Sequence, residues 1–302
     1  MTGSFDRGAS TSPDAATRAV AVLGCGNMGS AMVRAFLSKG WSVTAWNRTP
    51  ERAEALARDG AVAVSSAREA LTSTPLAILC ISSTEDVRAL LDVVDSAELG
   101  ATTVLNTTSG TPEDGRALGE WAHAKDVRYL DAAIAAYPEH LGTAEARFLV
   151  AGDEDVWKAH QDAVLGLAGG SLHVGTDFGA ANAIDCAMTG AFYITTLTAF
   201  VEAARFTTAF GVSHEILSDL TSYSLSVMDG QLKLILDRLR DQEFATDQAT
   251  LAVYADAAAA FAAGLNQHGK APMIQATSEV LRRGVDAGLG DQDIAVVATL
   301  DS

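Results

Sequence analysis

The chain has 302 residues, room for one large domain or two ordinary ones. At 48% hydrophobic and 20% charged it reads as a globular protein able to bury a sizeable core. A net charge of −17, with 38 carboxylates and no basic patch to offset them, argues against a nucleic-acid role and is compatible with attracting cationic substrates.

Residues 1–17 are small, polar and aperiodic, without the apolar stretch of a signal peptide, and are expected to be poorly ordered. No targeting segment stands out. Cys25, Cys80 and Cys186 lie in apolar or glycine-turn contexts with no CxxC or metal spacing, so the expectation is reduced thiols in a cytoplasmic protein. Six histidines are scattered, and neither His140 nor His268 has a partner at ligand or triad spacing; no metal site and no nucleophilic triad is expected.

The densest signal is the stretch 20–49, VAVLGCGNMGSAMVRAFLSKGWSVTAWNRT. An apolar run leads into Gly24-Cys25-Gly26-Asn27-Met28-Gly29, and an amphipathic segment follows. Gly24 suits the tight turn, Gly26 lets the backbone approach a pyrophosphate, and Gly29 allows the helix to pack closely on its strand. The phosphates would sit on free N–H groups at the positive end of that helix, which brings in Asn27 and Met28. At the end of the second strand, where an NAD site usually places an acid, stand Trp46-Asn47-Arg48-Thr49, with Arg52 one turn further. A guanidinium pairs with a 2′-phosphate that a carboxylate would repel, so NADP(H) is favoured over NAD. The same residues also read as a polar turn capping a helix that starts at Thr49-Pro50-Glu51; both readings can hold.

Further along, apolar runs at 61–64, 76–81, 103–105, 128–132, 148–151 and 172–174 are mostly separated by helix-like segments, the pattern of a doubly wound, mainly parallel sheet. Ser82 and Ser83 follow 76–81, where an α/β sheet presents its ligand. Asn106 and Thr108 end the next strand and are candidates for the nicotinamide side; a helix cap at Thr108 or Ser109 is the competing reading. After Gly175 the strand signals stop. Residues 180–210 form one long candidate helix ended by Gly211, apolar nearly all round and too short and polar for a confident membrane span, hence one buried between domains or subunits. Residues 211–302 read as Ala- and Leu-rich helices. The expected architecture is an α/β Rossmann domain over 18–179, an interdomain helix over 180–210 and an all-α domain over 211–302 that serves substrate binding and dimerisation.

The motifs GCGNMG (24–29), WNRTP (46–50), NTTSGTPED (106–114), YLDAAIAAYPEHLGT (129–143) and GVDAGLGDQD (284–293) make the chain resemble the NADPH-dependent imine reductases and reductive aminases, relatives of the β-hydroxyacid dehydrogenases. The likeness runs over residues 19–300, and the third and fourth motifs are the more specific to imine reductases. In the hydroxyacid dehydrogenases a catalytic lysine follows a glycine turn at the start of the interdomain helix; counting from Gly179, the matching position here is Asp185. The glycine-rich anion-binding turn those enzymes carry after a strand-ending Asp is replaced here by the residues after Asp131, 132–138. An aspartate in an apolar cleft would repel an acid substrate but stabilise an iminium cation, or protonate the nitrogen of an imine as it becomes an amine. The resemblance thus implies hydride transfer to a C=N bond with Asp185 as proton donor or iminium stabiliser; read alone, Asp185 equally suits a residue that caps or begins the helix. Related reductive aminases can carry an asparagine near the nicotinamide where this chain has 81–84, ISST.

If 181–201 is α-helical, Asp185, Thr189, Phe192 and Thr196 share one face with Tyr193 beside it, giving a mostly apolar pocket for imines, or for a ketone plus an amine, to which Tyr137 is also assigned; for Phe192 and Tyr193 an ordinary core residue is the competing reading. The resemblance further implies a domain-swapped homodimer in which helices of one subunit complete the other's cleft. No nucleic-acid or membrane partner is expected. Two other readings stay open: a hydroxyacid-dehydrogenase-like oxidoreductase with an altered catalytic residue, and an NADP-binding sensor without turnover.

Overall fold

Eight short runs of apolar residues pair into one sheet, because strands buried on both faces need continuous apolar sequence. The computed structural model describes residues 18–300; the expectation of disorder over 1–17 lies outside the described residues. The strands are β1 (Ala19–Leu23), β2 (Ser42–Trp46), β3 (Val62–Ala63), β4 (Leu76–Leu79), β5 (Thr103–Asn106), β6 (Arg128–Ala135), β7 (Arg147–Gly152) and β8 (Leu172–Gly175). Their order is β3-β2-β1-β4-β5-β6-β7-β8. Neighbours from β3 through β6 are parallel, β7 runs antiparallel to β6, and β8 is parallel to β7.

The crossovers are α1 (Asn27–Ser38), α2 (Pro50–Ala57), α3 (Ala67–Thr72), α4 (Thr84–Leu91), the single turn α5 (Ser96–Leu99), α6 (Pro112–Ala124) and α7 (Glu154–Leu167). One face of the sheet packs Met32, Phe36 and Trp157 from α1 and α7 against Val22, Ile78 and Phe148. The other packs Leu71, Val87, Leu91 and Leu118 from α3, α4 and α6 against Leu23, Leu79 and Tyr129. The register aligns Leu23 with Trp46 and Leu79, Leu79 with Asn106, and Asn106 with Asp131. That row is the carboxyl edge of the sheet, and the strand order turns between β1 and β4, where such sheets bind ligands.

After β8 come α8 (Ala180–Asp185), a π-helical segment (Cys186–Ile194) and α9 (Thr195–Ala209). The described residues fall into two compact units that divide after Gly190, inside the stretch read from sequence as a single interdomain helix. α8 belongs to the first unit, where Ala181 packs with Ala133 of β6 and Ala151 of β7. The second unit holds α9, α10 (His214–Asp241), α11 (Leu251–Asn266) and α12 (Pro272–Gly284), with a small core around Leu251, Ala255, Ala258, Leu281 and Val296.

One expectation needs correction. Over Cys186–Ile194 the backbone bonds run i→i+5, so the i, i+4 stacking assumed for Asp185, Thr189, Phe192 and Thr196 does not hold there. Within the chain, Ala181, Asn182 and Glu202 of the helix spanning Ala180–Ala209 are buried, while its most apolar window is open.

Candidate functional site

The nucleotide-binding half of the site is shaped by glycine. Gly24 has φ +105°, and its N–H donates to the Trp46 carbonyl at 2.8 Å; a Cβ there would lie 2.0 Å from the Cys80 carbonyl oxygen. A Cβ on Gly29 would lie 1.8 Å from the Gly24 oxygen, so turn and helix meet only because both lack side chains. Gly26 has open space where its Cβ would be. α1 begins at Asn27 with no side-chain cap and no acid in its first turn. An uncapped helix N-terminus behind an open glycine fits a pyrophosphate.

Beside this turn lies an open groove of about 610 Å3, walled by Gly24, Gly26, Arg48, Thr49, Arg52 and Ser82 among others. The structure thus brings the expected glycines together with Asn47 and both arginines, which also line it. Arg48 is 80% exposed and stands 3.6 Å from Asp86, the acid in the groove wall that the sequence reading did not single out. Two guanidiniums, Arg48 just beyond β2 and Arg52 in the first turn of α2, fit a 2′-phosphate.

Several expected cofactor residues turn out to brace the loops. Asn47 Oδ1 accepts from the Cys25 N–H at 2.8 Å, and its Nδ2 donates to the Thr49 carbonyl at 3.0 Å. Ser83 caps α4, accepting from Asp86 N–H at 3.1 Å. Asn106 is 1% exposed; its Nδ2 donates to Asp131 and its Oδ1 accepts from Thr108 N–H at 3.1 Å. Thr108 is buried and its hydroxyl accepts from Ile81 N–H at 3.4 Å. The cap of α6 is neither Thr108 nor Ser109 but Thr111, in a reciprocal box with Asp114.

Asp185 is half-buried at the last residue of α8, whose N-cap is Gly179, so it does not begin or cap that helix. It is not among the residues that wall the groove. Thr189 is half-buried on the π segment. Tyr137 is exposed just after β6, with its ring edge-on to His140 at 5.8 Å. Phe192 and Tyr193 lie in the second unit and are exposed.

Under α8 lies a buried polar cluster of which Asn106 alone is among the site residues expected from sequence. Asp131 is 0% exposed; Oδ1 accepts from Asn106 Nδ2 and from the Tyr129 hydroxyl, both at 2.9 Å, and Oδ2 accepts from Asn182 Nδ2 at 2.9 Å. Burial pushes its carboxyl up to about 6 against the pull of those three bonds, and nearby Asp114 adds to the rise. The signal that was available is Tyr129-x-Asp131: two polar groups at period two in an otherwise apolar strand. The thiols are free, and burial raises both Cys25, to about 11, and Cys80. Among the described residues no group of three metal-ligating side chains comes together.

Fold, glycine turn and groove define a dinucleotide-binding protein of the Rossmann class. Residues 19–175 match the NAD binding domain of 6-phosphogluconate dehydrogenase, and residues 177–301 match the C-terminal domain of NADPH-dependent reductive aminase-like proteins. The chain belongs to that NAD-binding family, in its imine reductase and reductive aminase branch. It is 29% identical over 288 residues to an NADPH-dependent reductive aminase of Aspergillus oryzae, covering 92% of this chain and 95% of the relative. An imine reductase structure from Pseudomonas sp. superimposes with a TM-score of 0.89 at 28% identity, covering 95% of this chain and 100% of that one. A reductive aminase of Aspergillus terreus in complex with NADPH and ethyl levulinate gives 0.88 at 27% identity, with 95% and 100% covered.

Proposed function

We propose that this protein is an NADPH-dependent reductase of C=N bonds, converting cyclic imines or iminium ions to amines, with reductive amination of a ketone and an amine within the same chemistry. The observation that carries the reading is the charge content of the segment after β8. Between Asp177 and Arg205 the chain has no lysine or arginine, and its acids are Asp185 and Glu202. Glu202 is engaged by the backbone N–H groups of Met273 and Ile274, at 2.8 and 3.4 Å. Asp185 is left as the acid for chemistry.

NADPH, when bound, supplies the hydride that reduces the carbon. The N-terminus of α1 and the glycine turn hold the pyrophosphate, and Arg48 and Arg52 hold the 2′-phosphate. With a neutral imine, the Asp185 carboxyl passes its proton to the nitrogen as the C=N electron pair localises there, leaving a carboxylate beside a neutral amine. With an iminium ion no proton is required, and the carboxylate stabilises the cation.

The test is NADPH oxidation, followed at 340 nm, with a small cyclic imine. Asp185→Ala is expected to lower turnover on the order of 10²- to 10⁴-fold, the usual span for loss of a general acid. A wild type that binds NADPH yet reduces no imine across a modest panel sinks the reading. Oxidation of a hydroxy acid with NADP+ would point instead to the dehydrogenase alternative.

The same reading makes the protein a homodimer. α10 runs 28 residues without a buried one, and Leu220, Tyr223, Val227 and Leu234 recur on it at spacings of three, four and seven, all exposed. A second copy is the cover proposed for them and for α9. Ala180–Ala209 is long and apolar enough to cross a membrane by composition. A bilayer suits it poorly, because its first turn is packed on β6 and β7 and it carries Asp185 and Glu202. Free thiols fit a cytoplasmic location.

A further inference from the structure

Asp131 is 0% exposed, pairs with no cation among the described residues, and has no part in the reaction just described. A buried carboxylate without a counter-ion is costly unless its oxygens are fully bonded. Here three neutral donors from three elements meet it: Tyr129 on its own strand, Asn106 at the end of β5, and Asn182 on α8. Asn106 carries the connection onward to Thr108, and Thr108 to the Ile81 N–H beyond β4. One carboxylate therefore ties the ends of β4 and β5 and the middle of β6 to the helix that bears Asp185.

Asn182 shows the direction of the constraint. It is buried, and among the described residues its Oδ1 has no hydrogen-bond partner. Turning the amide over would place Oδ1 against the carboxylate, so the bond to Asp131 holds it in one sense. The packing leaves no slack: a Cβ on Gly115 of α6 would lie 2.8 Å from Asn182 Nδ2 and 3.3 Å from Asp131 Oδ2. Asp185 follows three residues later, and residues three apart on a helix are neighbours on its surface. Fixing Asn182 fixes the rotation and depth at which Asp185 is presented.

We propose that Asp131 is a positioning residue of this reductase: acting through Asn182 it sets α8, and with it the Asp185 carboxyl, in one frame with the strand ends at the carboxyl edge of the sheet. The proposal rests on Asp185 being the acid of the imine reductase reading. A misplacement of about 1 Å at a reacting group can lower rates on the order of 10²-fold.

The experiment compares full-length wild type, Asn182→Leu, Asp131→Leu and Asp131→Asn for kcat, KM for a cyclic imine, Kd for NADPH and hydrogen exchange over residues 176–190. Asn182→Leu and Asp131→Leu are expected to lower kcat on the order of 10²-fold and to speed exchange in α8, with NADPH Kd within about three-fold of wild type. Asp131→Asn is expected to recover to within about three-fold, because the Asn182 amide can then turn over and accept from the new Nδ2, remaking the link. Asn182→Leu alone carries the test if Asp131→Leu does not fold. A purely structural role predicts a lower melting temperature with kcat unchanged well below melting, and that result overturns the proposal. So does an Asp131→Asn variant as impaired as Asp131→Leu. If wild type reduces no imine, the reductase reading fails by itself, whereas unchanged α8 exchange in Asn182→Leu refutes the anchor independently.

Discussion

In the N-terminal unit β4 and β5 are buried at every position, whereas α10 in the C-terminal unit buries none of its 28 residues and α9 buries only Glu202. Both regions are rich in apolar side chains. The sheet finds cover on both faces from helices that follow its strands in sequence, so its core closes within one chain. The helices after Gly190 gather a small core around α11 and α12 and leave Leu220, Tyr223 and Phe261 in the open. Exposed apolar surface on that scale marks an interaction site. The glycine turn and groove thus belong to a unit whose core closes on itself, and the second unit carries the surface on which the proposed second copy would sit.

The comparison breaks most sharply under a charge on α10. Tyr223→Glu with Val227→Glu is expected to halve the mass in light scattering and to abolish imine turnover, while NADPH affinity stays within about three-fold, since α10 lies in the other unit. A wild type that is monomeric at working concentration removes the proposed second copy. The counterpart in the sheet is Phe148→Ala, at a fully buried position. Truncating such a ring costs about 3–5 kcal/mol through lost transfer energy and a residual cavity, read in urea unfolding at fixed protein concentration. Tyr223→Ala on exposed α10 should leave the unfolding of the N-terminal unit unmoved.

Acid sharpens the comparison inside the first unit, where buried Asp131 and half-buried His160 pull in opposite directions. Asp131 titrates near 6, above its ordinary value, so its favourable contribution is complete below about pH 4 and lost as pH rises through 6. His160 is pushed down to about 4 by burial and by Arg128, while its ring Nε2 pairs with Thr103 Oγ1 at 2.8 Å. Its contribution is complete above about pH 6.5 and is lost as pH falls through 4. Asp131→Asn should therefore gain on wild type as pH rises from 4 to 7, by on the order of 3 kcal/mol. His160→Gln should gain on wild type as pH falls over the same window. Denaturation curves at both pH values, taken as differences from wild type, check the two signs; slopes of the same sign would contradict one assignment, and differences that do not change with pH would contradict both.

The sheet was legible because apolar runs, glycine punctuation and helix periodicity agree over residues 19–175. The glycine turn was legible because its spacing sits between a strand and a helix. What escaped was the side-chain bonding. Asn47 and Asn106 have the composition of ligand-binding residues, yet an amide can serve a backbone turn as well as a cofactor, and sequence does not say which neighbour arrives first. The π segment escaped because Cys186–Ile194 is apolar nearly all round, so no periodicity separates i→i+4 from i→i+5. Asp131 escaped because its donors come from β5, β6 and α8, and Asn182 is 51 residues away.

The smallest expected effect concerns the groove itself. Arg48 and Asp86 stand 3.6 Å apart, with side chains 80% and 43% exposed, a geometry in which an ion pair contributes little. A 2′-phosphate arriving at Arg48 brings up to two negative charges and three acceptors, so it displaces Asp86 as partner and is repelled by it at the same time. Asp86→Asn should therefore tighten NADPH by about two- to three-fold and leave NADH unchanged, because NADH brings no charge to that point. Arg48→Ala should weaken NADPH by about ten-fold and NADH far less. Both effects should shrink as salt rises, since these groups face solvent. Equal shifts for the two cofactors would place the 2′-phosphate elsewhere than at the end of β2, and Arg52 would then be the next guanidinium to replace.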